Sequence, residues 1–420
     1  MEEDRSLRAC YTGACVRYTF LAAVAALALV DVTPALAQGD GGPDTSQVKV
    51  RLGPLMMNPT ISIGNIGIDQ NVFNDPPDQI PKRDFTVTVT PLSDFWLHLG
   101  RTWVTASLNS QINWYQKYAS ERTANNEYKL GWNVPGSVVS FKVNWVSNEV
   151  RERPGYEIDT RVGRKDVTYS GSAEYHALSK THIGASGSRA RVQFAGDANY
   201  KETNLEIALN RVTTTAAANL RHQLAPLTSV TFSVSRSMDR FEFSPERDSD
   251  STNAQAAISF LPGALFKGSF AVGYSDFTPV DPALPGFRGV IGTVSLAYVL
   301  LGTTRFSVVG SRGVEYSYDV DQPYYVRTGV KGTIAQQIFG PFDVEARAGL
   351  EILPYRDRQG AAVKAPDRTD HVNSYGAGVG FRMGKTLRLG FNVDKVNRDS
   401  LLADRQYDNF KFGTALTTTF

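Results

Sequence analysis

Residues 343–352 read DVEARAGLEI, and charged and apolar residues alternate one by one along this stretch. The odd positions are acidic, basic or glycine, while the even positions are Val, Ala, Leu or Ile. Because a β-strand points successive side chains to opposite faces, the pattern predicts a strand with one polar and one apolar face. Lipid on one side and a polar lumen on the other would suit both faces, as in a transmembrane β-barrel.

The same alternation recurs along the chain, for example at residues 104–114, 127–133 and 387–394. A soluble β-sandwich can contain single strands of this kind, so the connections between strands discriminate better. Outer-membrane barrels join their strands by short turns at the periplasmic end and by longer loops outside. Short turns are predicted near residues 100–102, 134–137, 178–180, 225–228, 262–265, 301–303, 339–341 and 383–385. Longer polar loops are predicted near residues 74–82, 117–124, 148–164, 190–212, 239–251, 276–288, 313–322, 354–370 and 397–407.

Eight turns and nine loops give 17 connections and therefore about 18 strands. The predicted fold class is all-β, a transmembrane antiparallel β-barrel of about 18 strands whose even strand number places both termini on the periplasmic side. A closed barrel leaves no backbone edge unpaired in lipid. After residue 38 no apolar run reaches the 18 or more residues that indicate a transmembrane helix.

The N-terminus has the layout of an export signal. Three arginines precede an apolar stretch at residues 19–30, which is followed by Pro34 and then by Ala-Leu-Ala at residues 35–37. An apolar stretch of about 12 residues is too short to cross a bilayer, which disfavours a retained anchor. The predicted organisation is a cleaved signal peptide at residues 1–37, a short periplasmic segment at 38–58 and an outer-membrane barrel at 59–420.

Charge and cysteine content exclude several function classes. Without residues 1–37 the chain would keep 41 basic and 38 acidic residues, and no basic block stands out, so nucleic-acid binding has no support. Both cysteines, Cys10 and Cys15, lie in the predicted signal peptide. The mature protein would therefore contain neither disulfides nor cysteine metal sites.

The last strand carries apolar residues two or four positions apart and ends in phenylalanine. These residues are Phe410, Phe412, Leu416 and Phe420. The pattern resembles the signal that the outer-membrane barrel-assembly machinery recognises; the alternative is an ordinary edge strand. The expected partners are thus outer-membrane lipid, the assembly machinery and periplasmic chaperones.

A barrel of 18 strands is wide enough for an aqueous lumen. With the apolar faces outward, the lumen would receive nine basic residues: Lys129, Lys142, Lys267, Arg305, Arg327, Lys331, Arg347, Arg388 and Lys411. It would also receive six acidic residues: Glu127, Glu174, Asp343, Glu345, Glu351 and Asp394. This excess predicts a mild anion preference, unless the charges serve as internal salt bridges.

Charged residues also cluster in the predicted loops, where they could bind a ligand, fold inward as a constriction or simply face solvent. They include Arg151, Glu152, Arg153, Arg240, Glu242, Glu246, Arg247, Asp248 and Asp250.

Catalysis has little support in the sequence. The five histidines are scattered, and the mature chain has no phosphate loop and no Gly-x-Ser-x-Gly motif. His371 and Ser374 superficially resemble the pair of outer-membrane phospholipases, but the surrounding motif is absent. No catalytic residue, metal site or cofactor is predicted.

Residues 67–73, GIDQNVF, close the first predicted strand. They resemble the "putative β-barrel porin 2" family, whose first strand often carries an Asp-x-Asn-Val-Phe-like segment, and the resemblance extends over about residues 60–420. It implies a porin-like outer-membrane barrel, and because families of this kind are often tied to exopolysaccharide export, it also implies export components as partners. The expected function is a channel or conduit for small solutes or exported polysaccharide; the alternative is a non-conducting structural or adhesive barrel that binds partners through its loops.

Overall fold

The computed structural model describes residues 48–261, 264–384 and 387–419, so the predicted signal peptide and Phe420 lie outside the described residues. The chain forms strands β1 Val50–Leu52, β2 Leu55–Asp69, β3 Asp84–Leu99, β4 Thr102–Tyr115, β5 Thr123–Val134, β6 Val139–Glu152, β7 Val162–Leu178, β8 Thr181–Phe194, β9 Asn199–Tyr200, β10 Thr203–Asn204, β11 Arg211–Ala225, β12 Thr228–Phe241, β13 Ser249–Phe260, β14 Phe266–Pro279, β15 Phe287–Leu300, β16 Thr304–Tyr316, β17 Tyr324–Phe339, β18 Phe342–Arg356, β19 Thr369–Met383, β20 Leu387–Asp399 and β21 Tyr407–Thr419. One short helix, α1 at Leu205–Leu209, and three short 3₁₀ turns lie in the connections. In these ranges no helix is long and apolar enough to cross a membrane.

Eighteen of these strands close into one antiparallel barrel. Each long strand pairs with the next long strand along the chain, and β8 pairs with β11. The sheet closes where β2 pairs with β21, with Ile63 opposite Leu416 and Ile68 opposite Phe412. The predicted antiparallel barrel of about 18 strands is therefore confirmed. Closure satisfies the backbone hydrogen bonds of both end strands, which lipid could not do.

The short turns and long loops alternate as the sequence predicts. Each of the eight predicted turns lies between paired strands, although the turns near residues 262–265 and 383–385 fall partly outside the described residues. Gly100 and Gly302 have φ values of +62° and +71° in two of these turns, a conformation that is strained for other residues. The nine longer connections all lie at the opposite end of the barrel.

The barrel strands are longer than a membrane crossing requires. They contain between 12 and 17 residues. A tilted strand of about 9–11 residues suffices to span a membrane, so the additional residues extend the wall towards the long loops. The first barrel strand begins at Leu55, and β1 forms a hairpin with it through Gly53.

The wall has two chemically distinct faces. The outer face exposes large apolar side chains such as Trp132 and Phe232, which are 53% and 55% exposed. So much exposed apolar surface would be costly in water, whereas lipid accommodates it. The inner face carries small, polar and charged residues, and many of them are buried, as Thr231 and Asp343 are.

Candidate functional site

A network of ion pairs covers the inner face of β18–β20. Asp343 accepts hydrogen bonds from Arg388 at 2.5 and 3.0 Å, and Arg382 Nε lies 3.4 Å from the same carboxylate. Arg347 bridges Glu345 at 2.6 Å and Asp394 at 2.8 Å. The charged side chains on this part of the wall therefore compensate one another.

Glycines make room for this network. A Cβ atom on Gly376 would lie 2.3 Å from an Asp394 carboxylate oxygen, and one on Gly380 would lie 2.3 Å from the Arg388 guanidinium. Such distances are far shorter than real Cβ contacts, so a larger residue would displace the ion pairs. The sequence shows glycine at every second position of residues 376–380. The reason for these glycines becomes clear only from the side chains of the neighbouring strands.

Other predicted lumen residues are also paired. Arg327 binds Glu351 at 2.7 Å and lies 3.3 Å from Glu315, and Lys411 lies 2.8 Å from Asp69. Two further pairs are Lys129 with Glu127 and Arg221 with Glu174, both at 2.8 Å. The remaining predicted cations lie on inner-face positions of β6, β14, β16 and β17: Lys142, Lys267, Arg305 and Lys331. Their contribution to a pore stays a prediction.

Another part of the wall, formed by β12–β15, is neutral. The middle inner-face positions of β12–β15 are small or uncharged: Ser233, Ser235, Ser237, Asn253, Gln255, Ala257, Ser269, Ala271, Gly273, Thr293 and Ser295. The lumen therefore has one wall of paired charges and one wall rich in hydroxyl groups.

At the loop end the β16–β17 hairpin folds into the barrel. Pairing between β15 and β16 stops at Gly292 and Arg312, whereas β16 and β17 stay paired up to Tyr316 and Tyr324. Tyr324 belongs to the face of the hairpin that, further down the strand, is the outer face of the barrel. At the tip this face packs against inner-face residues of β14 and β15 such as Phe277. The hairpin tip has therefore left the wall and occupies the lumen.

The connection between β6 and β7, residues 153–161, reaches this tip from the other side of the barrel. About half of the 18 strands separate the two connections in either direction. The Glu157 carboxylate accepts hydrogen bonds from Ser317 Oγ at 2.7 Å and from the Tyr318 backbone N–H at 3.2 Å. Glu157 is 2% exposed, so this contact across the lumen excludes water.

Four buried arginines surround Glu157, and together these five residues form what we call the loop-end cluster: Glu157, Arg247, Arg368, Arg398 and Arg405. Arg405 donates to the Glu157 carbonyl oxygen, and Arg247 donates to the Ser317 carbonyl oxygen at 2.6 Å. Arg368 lies 3.6 Å from the Glu157 carboxylate. Because a buried charge is stable only when it is paired and hydrogen-bonded, these contacts hold the loops together as one unit.

Burial also changes the ionisation of the loop groups. It raises the pKa of Glu157, and the neighbouring Arg405 guanidinium and Ser317 hydroxyl oppose that rise. Burial raises the pKa of Tyr318 to about 12, again against the influence of Arg405. Tyr318 therefore stays protonated at neutral pH, and its hydroxyl oxygen accepts a hydrogen bond from Arg405 at 3.3 Å.

An apolar cluster from the connection between β8 and β11 lies beside these arginines. Tyr200 and Leu205 pack with Ile158, Phe194 and Tyr318. The loops thus form a constriction at one end of the lumen, with an apolar part and a charged part. Residues 153 and 247 belong to it, whereas Arg240, Glu242 and Asp250, also singled out in the sequence, are at least partly exposed at the outer rim.

The remaining sequence predictions fall elsewhere. Phe410, Phe412 and Leu416 lie on the outer face of β21, and Phe420 is outside the described residues, so their role in assembly stays a prediction. His371 and Ser374 lie on opposite faces of β19, three positions apart, and cannot act on one substrate group. No group of three His, Cys, Asp or Glu residues within the described ranges could hold a metal ion.

Removing one charge from the ion-pair network tests whether this network influences the ion selectivity of the channel. We expect Asp343→Asn to shift ion selectivity towards anions, because Arg382 and Arg388 would lose their shared carboxylate; the permeability ratio should change on the order of twofold. Reversal potentials in a salt gradient measure this ratio. Asp408→Asn is the matched control, since Asp408 pairs with Lys395 on the outer face and should leave selectivity unchanged. Equal shifts in both variants would contradict this placement.

The family model described as "Putative beta-barrel porin 2" matches residues 43–420 of the chain. No curated protein matches it. Among solved structures, OpdK of Pseudomonas aeruginosa with vanillate is similar, with 7% identity, a TM-score of 0.46 and coverage of 87% of this chain and 99% of that one. A BenF-like porin of Pseudomonas fluorescens Pf-5 has 8% identity, a TM-score of 0.46 and coverage of 88% and 100%. OccK9 (OpdG) of Pseudomonas aeruginosa has 11% identity, a TM-score of 0.46 and coverage of 87% and 98%.

Proposed function

Since this chain belongs to the putative beta-barrel porin 2 family, we propose that it is a porin-like channel of the outer membrane through which small solutes pass along a lumen narrowed by the loop-end cluster. The observation that carries the proposal is the contact between Glu157 and the β16–β17 tip, which brings loops from opposite sides together inside the barrel. A constriction of this kind limits the size of what can pass.

Small solutes suit this lumen better than a polymer does. A polysaccharide chain would have to displace the buried Arg398 and Arg405 together with the loops that hold them. A small solute needs only the space that the packed loops leave. On its way it meets paired charges on β18–β20 and hydroxyl groups on β12–β15, which offer polar contacts without a strong net charge.

Single-channel recording tests the proposal. The protein without residues 1–37 is refolded and inserted into a planar bilayer, and its conductance and reversal potential are measured. We expect stable conductance with weak ion selectivity, because most of the inner-face charges are paired. A correctly folded barrel that never conducts would overturn the proposal in favour of an adhesive or structural barrel.

A further inference from the structure

Four arginines lie on the outer face of β8 and β12, towards the end of the barrel that carries the long loops. These residues form what we call the arginine patch: Arg189, Arg191, Arg236 and Arg240. All four are exposed. Charged residues on a lipid-facing surface are tolerated near the interface and are costly at the membrane midplane, so the patch marks the level of the lipid headgroups.

The register of the strands sets the layout of the arginine patch. Arg191 on β8 lies opposite Val212 on β11, and Val212 lies opposite Arg240 on β12. Two residues nearer the membrane centre, Arg189 lies opposite Thr214 of β11. Because adjacent strands are about 4.8 Å apart, the arginines of β8 and β12 stand about 10 Å apart over a floor of smaller β11 side chains.

Below the third row, which still carries Arg236, the outer face becomes apolar. Ala216 of β11 lies between Gly187 and Arg236, and the next rows are Ala185, Ala218 and Val234, then Ile183, Leu220 and Phe232. The surface therefore changes from cationic to apolar along the strand direction, with small residues forming a shallow groove along its centre. An amphiphile would fit this surface, with its anionic head at the arginines and its acyl chain along the apolar rows.

Three of the four arginines keep hydrogen-bond donors free for a ligand. Arg189 has no hydrogen bond or ion pair with any described residue. Arg191 and Arg236 each use one terminal nitrogen, to bind Glu242 and Asp250 respectively. Asp250 and Asp248 also lie near Arg240, so four guanidiniums face three carboxylates. A guanidinium has five N–H donors, so Arg189, Arg191 and Arg236 keep donors available for a ligand. Arg240 also donates to the Asp239 and Ser249 carbonyl oxygens at 2.8 and 3.0 Å, so it contributes mainly its charge.

We propose that the arginine patch binds the phosphate groups of a phosphorylated glycolipid in the outer leaflet, with an acyl chain along β11. The planar guanidinium fork matches phosphate oxygens in a bidentate manner. The apolar rows directly below the patch are covered by lipid, which excludes a soluble protein from that half of the surface. The inference rests on the location in the outer membrane and is independent of conduction through the lumen.

Native mass spectrometry of the folded protein in detergent micelles tests the proposal, with diphosphorylated lipid A as the probe. We expect Arg189→Gln combined with Arg236→Gln to weaken binding on the order of tenfold. The matched control combines Arg288→Gln with Lys395→Gln, which removes two outer-face cations that lie outside the patch and should leave binding unchanged. Folding of both variants is checked by their resistance to heat unfolding in detergent.

The phosphate groups and the lipid are separated by two further measurements. The unsubstituted protein should bind lipid A without its phosphates on the order of tenfold more weakly than diphosphorylated lipid A. The patch variant should bind the two forms of the lipid with equal affinity. Inorganic phosphate at the concentration of the lipid should not displace it, because it lacks the acyl chain. Equal binding of both lipid forms, or full displacement by inorganic phosphate, would overturn the assignment, as would unchanged binding in the patch variant.

Discussion

Shortening the connection between β6 and β7 is expected to raise the single-channel conductance on the order of threefold. Replacing residues 154–160 by a Gly-Ser-Gly linker removes Glu157 from the loop-end cluster. Arg405 then loses the Glu157 carbonyl as an acceptor, and Arg368 loses a carboxylate 3.6 Å away. Arg405 keeps its hydrogen bonds to the Tyr200 and Tyr318 hydroxyls, and Arg368 keeps Asp370 at 3.7 Å, but the four arginines lose the Glu157 charge between them. That loss favours hydration and separation of the guanidiniums, so the constriction widens. Conductance in a planar bilayer measures the effect.

A point variant separates charge from bulk. Glu157→Gln keeps the shape of the side chain and can still accept the Ser317 hydrogen bond, but it removes the negative charge among four arginines. We expect a smaller rise than in the shortened protein, with more frequent current fluctuations. Glu242→Gln is the matched control, because Glu242 pairs with Arg191 at the outer rim. Unchanged conductance in the shortened protein would show that the β6–β7 connection does not limit ion flow.

Local alternation predicted the barrel because every spanning strand meets the same two environments. The stretch at residues 343–352 lies in β18, with its charged positions on the inner face, as the alternation indicates. The pattern fails where both faces of a strand are covered. At residues 324–327 of β17 all four side chains are buried, because the hairpin tip lies inside the lumen. Polar and apolar residues need not alternate in such a segment, so alternation along the sequence cannot identify it.

The loop-end cluster could not be predicted, because its contacts join distant parts of the chain. Arg405 and Glu157 are 248 positions apart, and nothing in the local sequence separates a buried loop arginine from a solvated one. The inner-face charges were easier to find than to interpret. Counting them predicts a mild anion preference, whereas the pairing of Arg347 and Arg388 depends on register across strands. That preference stays a prediction until reversal potentials are measured.

Replacing Gly67 by alanine is expected to destabilise the closed barrel by about 3 kcal/mol or more. Gly67 lies on β2 at the seam where the first barrel strand pairs with the last. A Cβ atom there would be 2.0 Å from the Phe412 carbonyl oxygen and 2.5 Å from the Gly413 Cα. Both are backbone atoms, so relief requires the two strands to separate and expose hydrogen-bonding groups to lipid. Urea unfolding of the barrel in lipid vesicles measures the loss.

Gly64→Ala is the matched control, because Gly64 lies three positions away on the same strand and a Cβ atom there meets nothing within 4 Å. The ladder is irregular between Ile63 and Ile66, so any change in this region could disturb the strand itself. A loss confined to Gly67→Ala would locate the sensitivity in the contact between β2 and β21, and hence in closure. Equal losses in both variants would instead locate it in the irregular stretch of β2, with the seam tolerating a methyl group.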